Sequence, residues 1–129
     1  MSLERRGFVG FFPEKLTRER VGECVASWLE RFGGVEQATG GSRQVMTMKV
    51  KELKDVVWEK DMQFRVLSGE QFAWVYLTLD RWVIETSGMA SGGGAALCRD
   101  VLTLLPGCAE IIDERNDHRL DQLEAEGLM

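Results

Sequence analysis

Two extended runs meet at Ser68-Gly69-Glu70, and they limit what this chain can fold into more than any other stretch. Met62, Phe64 and Val66 alternate with polar or basic neighbours, the period of a strand with one wet face. Past the turn the pattern changes. Phe72, Trp74 and Tyr76 take one set of alternate positions and Ala73, Val75 and Leu77 the other, so neither face of that strand reads as solvated. Such a strand belongs in the middle of a sheet, with Asp80-Arg81 leading into a further strand from Trp82 to Glu85.

The flanking segments supply helices and shorter strands. Residues 7–12 read as a short strand closed by Pro13. Val21, Cys24, Val25, Trp28, Leu29 and Phe32 recur at spacings of three and four, which predicts a helix with Thr17 as its N-cap and Gly33-Gly34 as its stop. The stretch from Val35 to Ser42, rich in Gly, Gln and Thr, reads as a polar connection. Val45 to Val57 reads as a short extended piece and then a short helix with Val50, Leu53, Val56 and Val57 on one side. Ala95 to Leu105 is an apolar helix stopped by Pro106-Gly107. Cys108 to Ile112 suggests an edge strand, and Asp117 to Glu126 a last helix with Leu120 and Leu123 inward. The expected fold is therefore α+β: one domain over residues 1–129, an antiparallel or mixed β-sheet with helices packed on one face. At 129 residues and 44% apolar, the chain is large enough to bury its own core.

Charge and cysteines narrow the setting. With 21 acidic against 16 basic residues the formal charge is −5, and no Lys/Arg cluster exceeds the mixed run Arg18 to Arg20. Nucleic acid is not an expected partner, because phosphate binding needs a concentrated positive face, whereas a small cationic molecule is easily accommodated. Cys24, Cys98 and Cys108 are odd in number and lie in or beside apolar segments, as reduced core residues of a cytoplasmic protein do. No window approaches the ~20 apolar residues of a membrane span, so no membrane partner is expected.

Few residues suggest chemistry on their own. Ser87 to Gly94 joins a strand to a helix through Gly92-Gly93-Gly94, an arrangement that can present backbone N–H groups to an anion. No Lys-Ser/Thr pair follows, and the spacing fits neither a P-loop nor a dinucleotide fingerprint, so a flexible entry loop is the preferred reading. His118 is the single histidine and sits in a polar run beside Asp117 and Arg119, which excludes a metal site built on two histidines; no metal or cofactor is expected. Glu70 and Glu85 flank the central hairpin as strand-end charges. Trp58, Trp74 and Trp82 read as core or interface residues.

Three stretches, in this order, carry a family resemblance. Gly7-Phe8-Val9-Gly10 followed by Glu14-Lys15-Leu16 resembles the opening Gly-Phe-Glu-Gly and Glu-Lys of the eukaryotic-type S-adenosylmethionine decarboxylases. Val45 to Val57 is similar to that family's short strand and helix. Arg81 to Gly88, followed by a helix, is similar to its strand ending in Lys-Thr-Cys-Gly-Thr-Thr. The stretches span residues 7 to about 105, and family members are more than twice as long. The resemblance implies one half of an αββα sandwich, in which a second half covers the free sheet face. It implies an adenosyl ligand, for which Phe8 would stack on the ring with Ser87 and Gly88 beside it.

The same resemblance implies that the activity is lost. Family members cut themselves at Glu-Ser-Ser to make a pyruvoyl group, and the region taken to correspond, Ser68 to Val75, has no serine pair. Val9 stands where the motif has glutamate, and Ser87 where it has the catalytic cysteine; a serine hydroxyl is a poor replacement for a tuned proton donor. The expectation is a non-catalytic, prozyme-like domain with no cofactor, acting as a homodimer or as a heterodimer with a related catalytic chain of spermidine synthesis. Phe72, Trp74 and Tyr76 are its expected interface. The competing expectation is an unrelated small acidic α+β interaction protein, of the secretion-chaperone or immunity kind.

Overall fold

A computed structural model describes residues 5–39, 46–89 and 93–129. Its strands are β1 (Arg5–Phe11), β2 (Gly34–Thr39), β3 (Met46–Val50), β4 (Asp61–Ser68), β5 (Gln71–Thr78), β6 (Val83–Met89) and β7 (Glu110–Asp113). Its α-helices are α1 (Arg18–Arg31), α2 (Gly94–Leu102) and α3 (Asp117–Ala125), and a 3-10 turn spans Leu53–Asp55. The strands make one open sheet in the order β3-β2-β4-β5-β6-β1-β7, with every neighbouring pair antiparallel. The α+β expectation holds, and of the two sheet types left open the structure has the antiparallel one.

The hairpin residues pair as the alternation requires: Met62 with Leu77, Phe64 with Val75, and Val66 with Ala73. All six are buried on the face covered by α1 and α2. Thr17 caps α1 through its side-chain oxygen, which accepts from the Arg20 N–H at 3.1 Å. The two helices are tied end to end. Trp28, fully buried, donates its indole N–H to the Val101 carbonyl at 2.8 Å, and Arg31 donates to the Asp100 carbonyl at 3.0 Å and to that of Thr103. These carbonyls belong to the end of α2, where intrahelical partners run out, so α1 serves as that helix's C-terminal cap.

Three expectations need correction. The segment from Val35 to Thr39 is part of β2, a strand paired on both sides, and residues 40–42 of the expected connection lie outside the described residues. Its polar composition misled because one polar residue is buried: Gln37 bonds both to the N–H and to the carbonyl of Val57, at 2.8 and 2.7 Å. That closed pair removes the cost of burying an amide. Second, the residues expected on one side of a helix before Val57 do not share a face. Val50 and Val56 are buried while Leu53 and Val57 are exposed, around a single 3-10 turn. Third, the helices do not all lie on one face: α3 packs Leu120 and Leu123 on Val9, Phe11, Val83 and Ile112, at the opposite side of the sheet from α1 and α2.

Leu104 follows α2 with φ +63° and is 81% exposed. A left-handed backbone costs a side-chain-bearing residue about 1–2 kcal/mol, and an exposed leucine recovers little of that by burial. Allowing for glycine's larger unfolded-state entropy, Leu104→Gly is expected to raise stability by about 0.5–1 kcal/mol. A urea midpoint that falls instead would show that the leucine makes contacts worth more than the backbone relief.

Candidate functional site: the open face of the sheet

Because α3 covers β7, β1 and Val83 of β6 on its face, the rest of that face carries no helix among the described residues. The register sets out what lies there. One row across β3, β2, β4, β5 and β6 is Lys49, Glu36, Arg65, Trp74 and Ser87; the next is Thr47, Ala38, Gln63, Tyr76 and Glu85. Phe72 stands at the margin of the first row, opposite Leu67. The three residues expected at an interface, Phe72, Trp74 and Tyr76, are thus brought onto one face, on the part that no helix among the described residues covers. Phe72 is 38% exposed, and Trp74 and Tyr76 are half-buried.

The residue that organises this surface is Arg65. Its guanidinium is ion-paired with Glu36, with Nε to Oε1 at 2.7 Å, and lies 5.3 Å from the Phe72 ring centre and 5.5 Å from that of Trp74. The two rings meet edge to face at 6.1 Å and 83°. A cation held over two ring faces stiffens flat apolar surface without an unpaired charge, the kind of platform that Arg and aromatic residues make in protein interfaces. Below it, toward the Thr78 end of β5, an open cleft of about 650 Å³ is lined by Glu59, Asp61, Gln63, Tyr76, Arg81 and Glu85 among others. Asp61 accepts a hydrogen bond from the Thr78 hydroxyl at 2.7 Å.

The residues expected around an adenosyl ligand are not brought together. Phe8 pairs with Thr86, and the N–H of Phe8 donates to the Thr86 hydroxyl at 3.2 Å on the helix-covered face. Ser87, one residue on, therefore points to the opposite face, in register with Trp74. Gly88 is back under α2, where a Cβ would stand 2.8 Å from the Cys98 sulfur and 3.2 Å from the Gly94 carbonyl oxygen. Its missing side chain lets α2 settle on β6. Phe8 is 9% exposed and contributes to a shallow depression with Ala95, Ala96, Arg99 and Asp100.

Other candidates separate as well. Trp58 lies beneath Arg18 of α1 and Trp82 beneath Lys15, both away from Trp74. His118 is exposed on α3, 3.3 Å from the Gln122 amide nitrogen. Cys24, Cys98 and Cys108 are free thiols; burial pushes Cys24 up to about 12 and Cys98 to about 11, and raises Cys108 too. Thiols so poorly ionised are weak nucleophiles. Among the described residues no group of three or more His, Cys, Asp or Glu could hold a metal ion, and no helix is long and apolar enough to cross a membrane. Gly92 of the glycine-rich loop lies outside the described residues.

No family model, curated protein or solved structure matches the chain. The open face itself therefore carries the functional reading. Arg65 and Glu36 were absent from the sequence-based candidates; the only signal was Arg65 in a wet-face position of β4, since Glu36 fell in a segment read as a connection.

Proposed function

We propose that this chain is a non-catalytic, S-adenosylmethionine decarboxylase-like domain that acts by association, laying the open half of its sheet against a second protein. The observation behind the reading is the aromatic row of β5, packed around Arg65 on a face to which the helices among the described residues contribute only α3, at one end. The resemblance in the sequence supplies the class of partner: another copy, or a related catalytic chain of polyamine biosynthesis.

The absence of a serine pair between Ser68 and Val75 supports the non-catalytic half of the reading. Without that Glu-Ser-Ser pair to cut and convert, the purified chain is expected to remain in one piece and gain no carbonyl group. Intact-mass analysis is expected to give the full-length mass, unchanged by phenylhydrazine or borohydride. Two fragments meeting near Gln71, or a hydrazone adduct, would sink this half of the proposal.

A further inference from the structure

We infer that the occupant of the open face is a basic amphipathic helix of an unlike protein, lying along β5 with its apolar stripe on Phe72, Trp74 and Tyr76 and its lysine or arginine side chains in the cleft at the Thr78 end. The inference rests on the association reading above and names the chemistry of the partner.

The shape of the face selects a helix. α3 stands on β7, β1 and Val83 of β6, and a broad second sheet, which packs about 10 Å from the first, would run into a helix that is itself about 10 Å thick. Past β6 there remain β5, β4, β2 and β3. At ~4.8 Å spacing they make a strip roughly 15–20 Å wide, which holds one helix beside α3. Along β5, the line from Phe72 to Thr78 runs about 20 Å, the length of roughly fourteen helical residues. The cleft at its end is open with Met129 on the wall, so Met129 borders the occupant instead of filling its place.

Charge selects the sign. At the aromatic end the Arg65 cation is already neutralised by Glu36. At the Thr78 end Glu59, Asp61 and Glu85 are exposed in the cleft with Arg81 as the one basic side chain among its described lining residues, and among the described residues none of the three carboxylates is ion-paired. Register places two of them on either side of β5: Asp61 is the β4 partner of Thr78, and Glu85 the β6 partner of Tyr76. A helix over β5 therefore meets a carboxylate on each flank of its apolar stripe, where an amphipathic helix carries its long charged side chains. The aromatic row and the bracketing carboxylates ask for the same ligand. A second copy answers poorly, since its own Arg65 is tied to Glu36, its α1 and α2 are packed on the other face, and it brings a further charge of −5.

Two synthetic peptides of about 18 residues test this on the full chain, each a helix with a leucine stripe, one flanked by lysines and the other by glutamates in the same positions. Fluorescence anisotropy of the labelled peptides is expected to show the lysine peptide binding at least roughly tenfold more tightly than its glutamate twin. Asp61→Lys with Glu85→Lys is expected to reverse that preference. Glu19→Lys with Glu30→Lys, the same change in net charge on exposed positions of α1, is expected to preserve it. Trp74→Ala, which removes a ring and adds no charge, is expected to weaken the lysine peptide roughly tenfold or more. Circular dichroism checks that each variant folds.

No binding of either peptide, equal binding of both, or an equal loss of preference from the α1 pair and the cleft pair overturns the inference. Sedimentation equilibrium of the chain alone then separates it from the broader reading. A dimer that Trp74→Ala dissociates keeps the open face as an interface and makes a second copy its occupant. Binding or self-association that Trp74→Ala leaves unchanged excludes the face, and both ideas fall.

Discussion

Trp28→Ala is expected to lower stability by about 3–5 kcal/mol, the largest effect of any single side chain in the core. Trp28 is fully buried, tilts against Phe64 with ring centres 5.8 Å apart, and bridges the two helices through its bond to the Val101 carbonyl. Truncation leaves a cavity that the sheet cannot close, and it strands a buried carbonyl at the end of α2. Trp28→Phe isolates the second contribution: it keeps most of the volume but loses the N–H, for an expected cost of about 1–3 kcal/mol. Leu29, though on the same helix, is only half-buried, and Leu29→Ala should cost less than Trp28→Ala. Glu30 is exposed, and Glu30→Ala should lie within about 0.5 kcal/mol of wild type. Chemical denaturation of the four variants checks the order. Equal losses at positions 28 and 30 would mean that α1 presents a different face to the sheet.

The second large effect is on association. Trp74→Glu, or Tyr76→Glu, is expected to weaken the proposed association through the open face by roughly a hundredfold or more, about 3 kcal/mol, while leaving helix content unchanged. The asymmetry has a local cause. In a single copy these positions are half-buried beside Arg65 or Gln63, where a carboxylate stays wet and, at position 74, gains a cation. Pressed against a partner, the same carboxylate loses its water and replaces an aromatic side chain that would fill the contact, a loss that one neighbouring cation only partly offsets. Sedimentation equilibrium with circular dichroism on the same samples reads both quantities. A variant that associates as the wild type does, or one that loses its helices with its partner, would contradict the placement of this row on an outer face.

How much of this was legible in the residues depends on distance along the chain. The hairpin Met62 to Leu79, the Thr17 cap and the inward Leu123 of α3 could be read directly, because alternation and three-four spacing report which neighbours share a face. That Phe72, Trp74 and Tyr76 share one face was legible for the same reason: they are two residues apart on a strand. β2 was not, since its polar letters hide Gln37, whose burial is tolerated only because Val57, 20 positions away, closes both of its hydrogen bonds.

By itself, then, the sequence determined the class of the fold, the helix starts and the aromatic row, all products of forces between residues a few positions apart. Only the tertiary structure decided which side each face was turned to. Pairing Phe8 with Thr86 sent Ser87 to the far side of the sheet and separated the residues expected around a ligand. Packing α3 on Val9 and Ile112 covered one end of that side and left Trp74 outside its cover. Periodicity fixes which residues travel together; strand partners and helix sides are set by contacts between segments far apart, where register is chosen by the burial of the whole sheet.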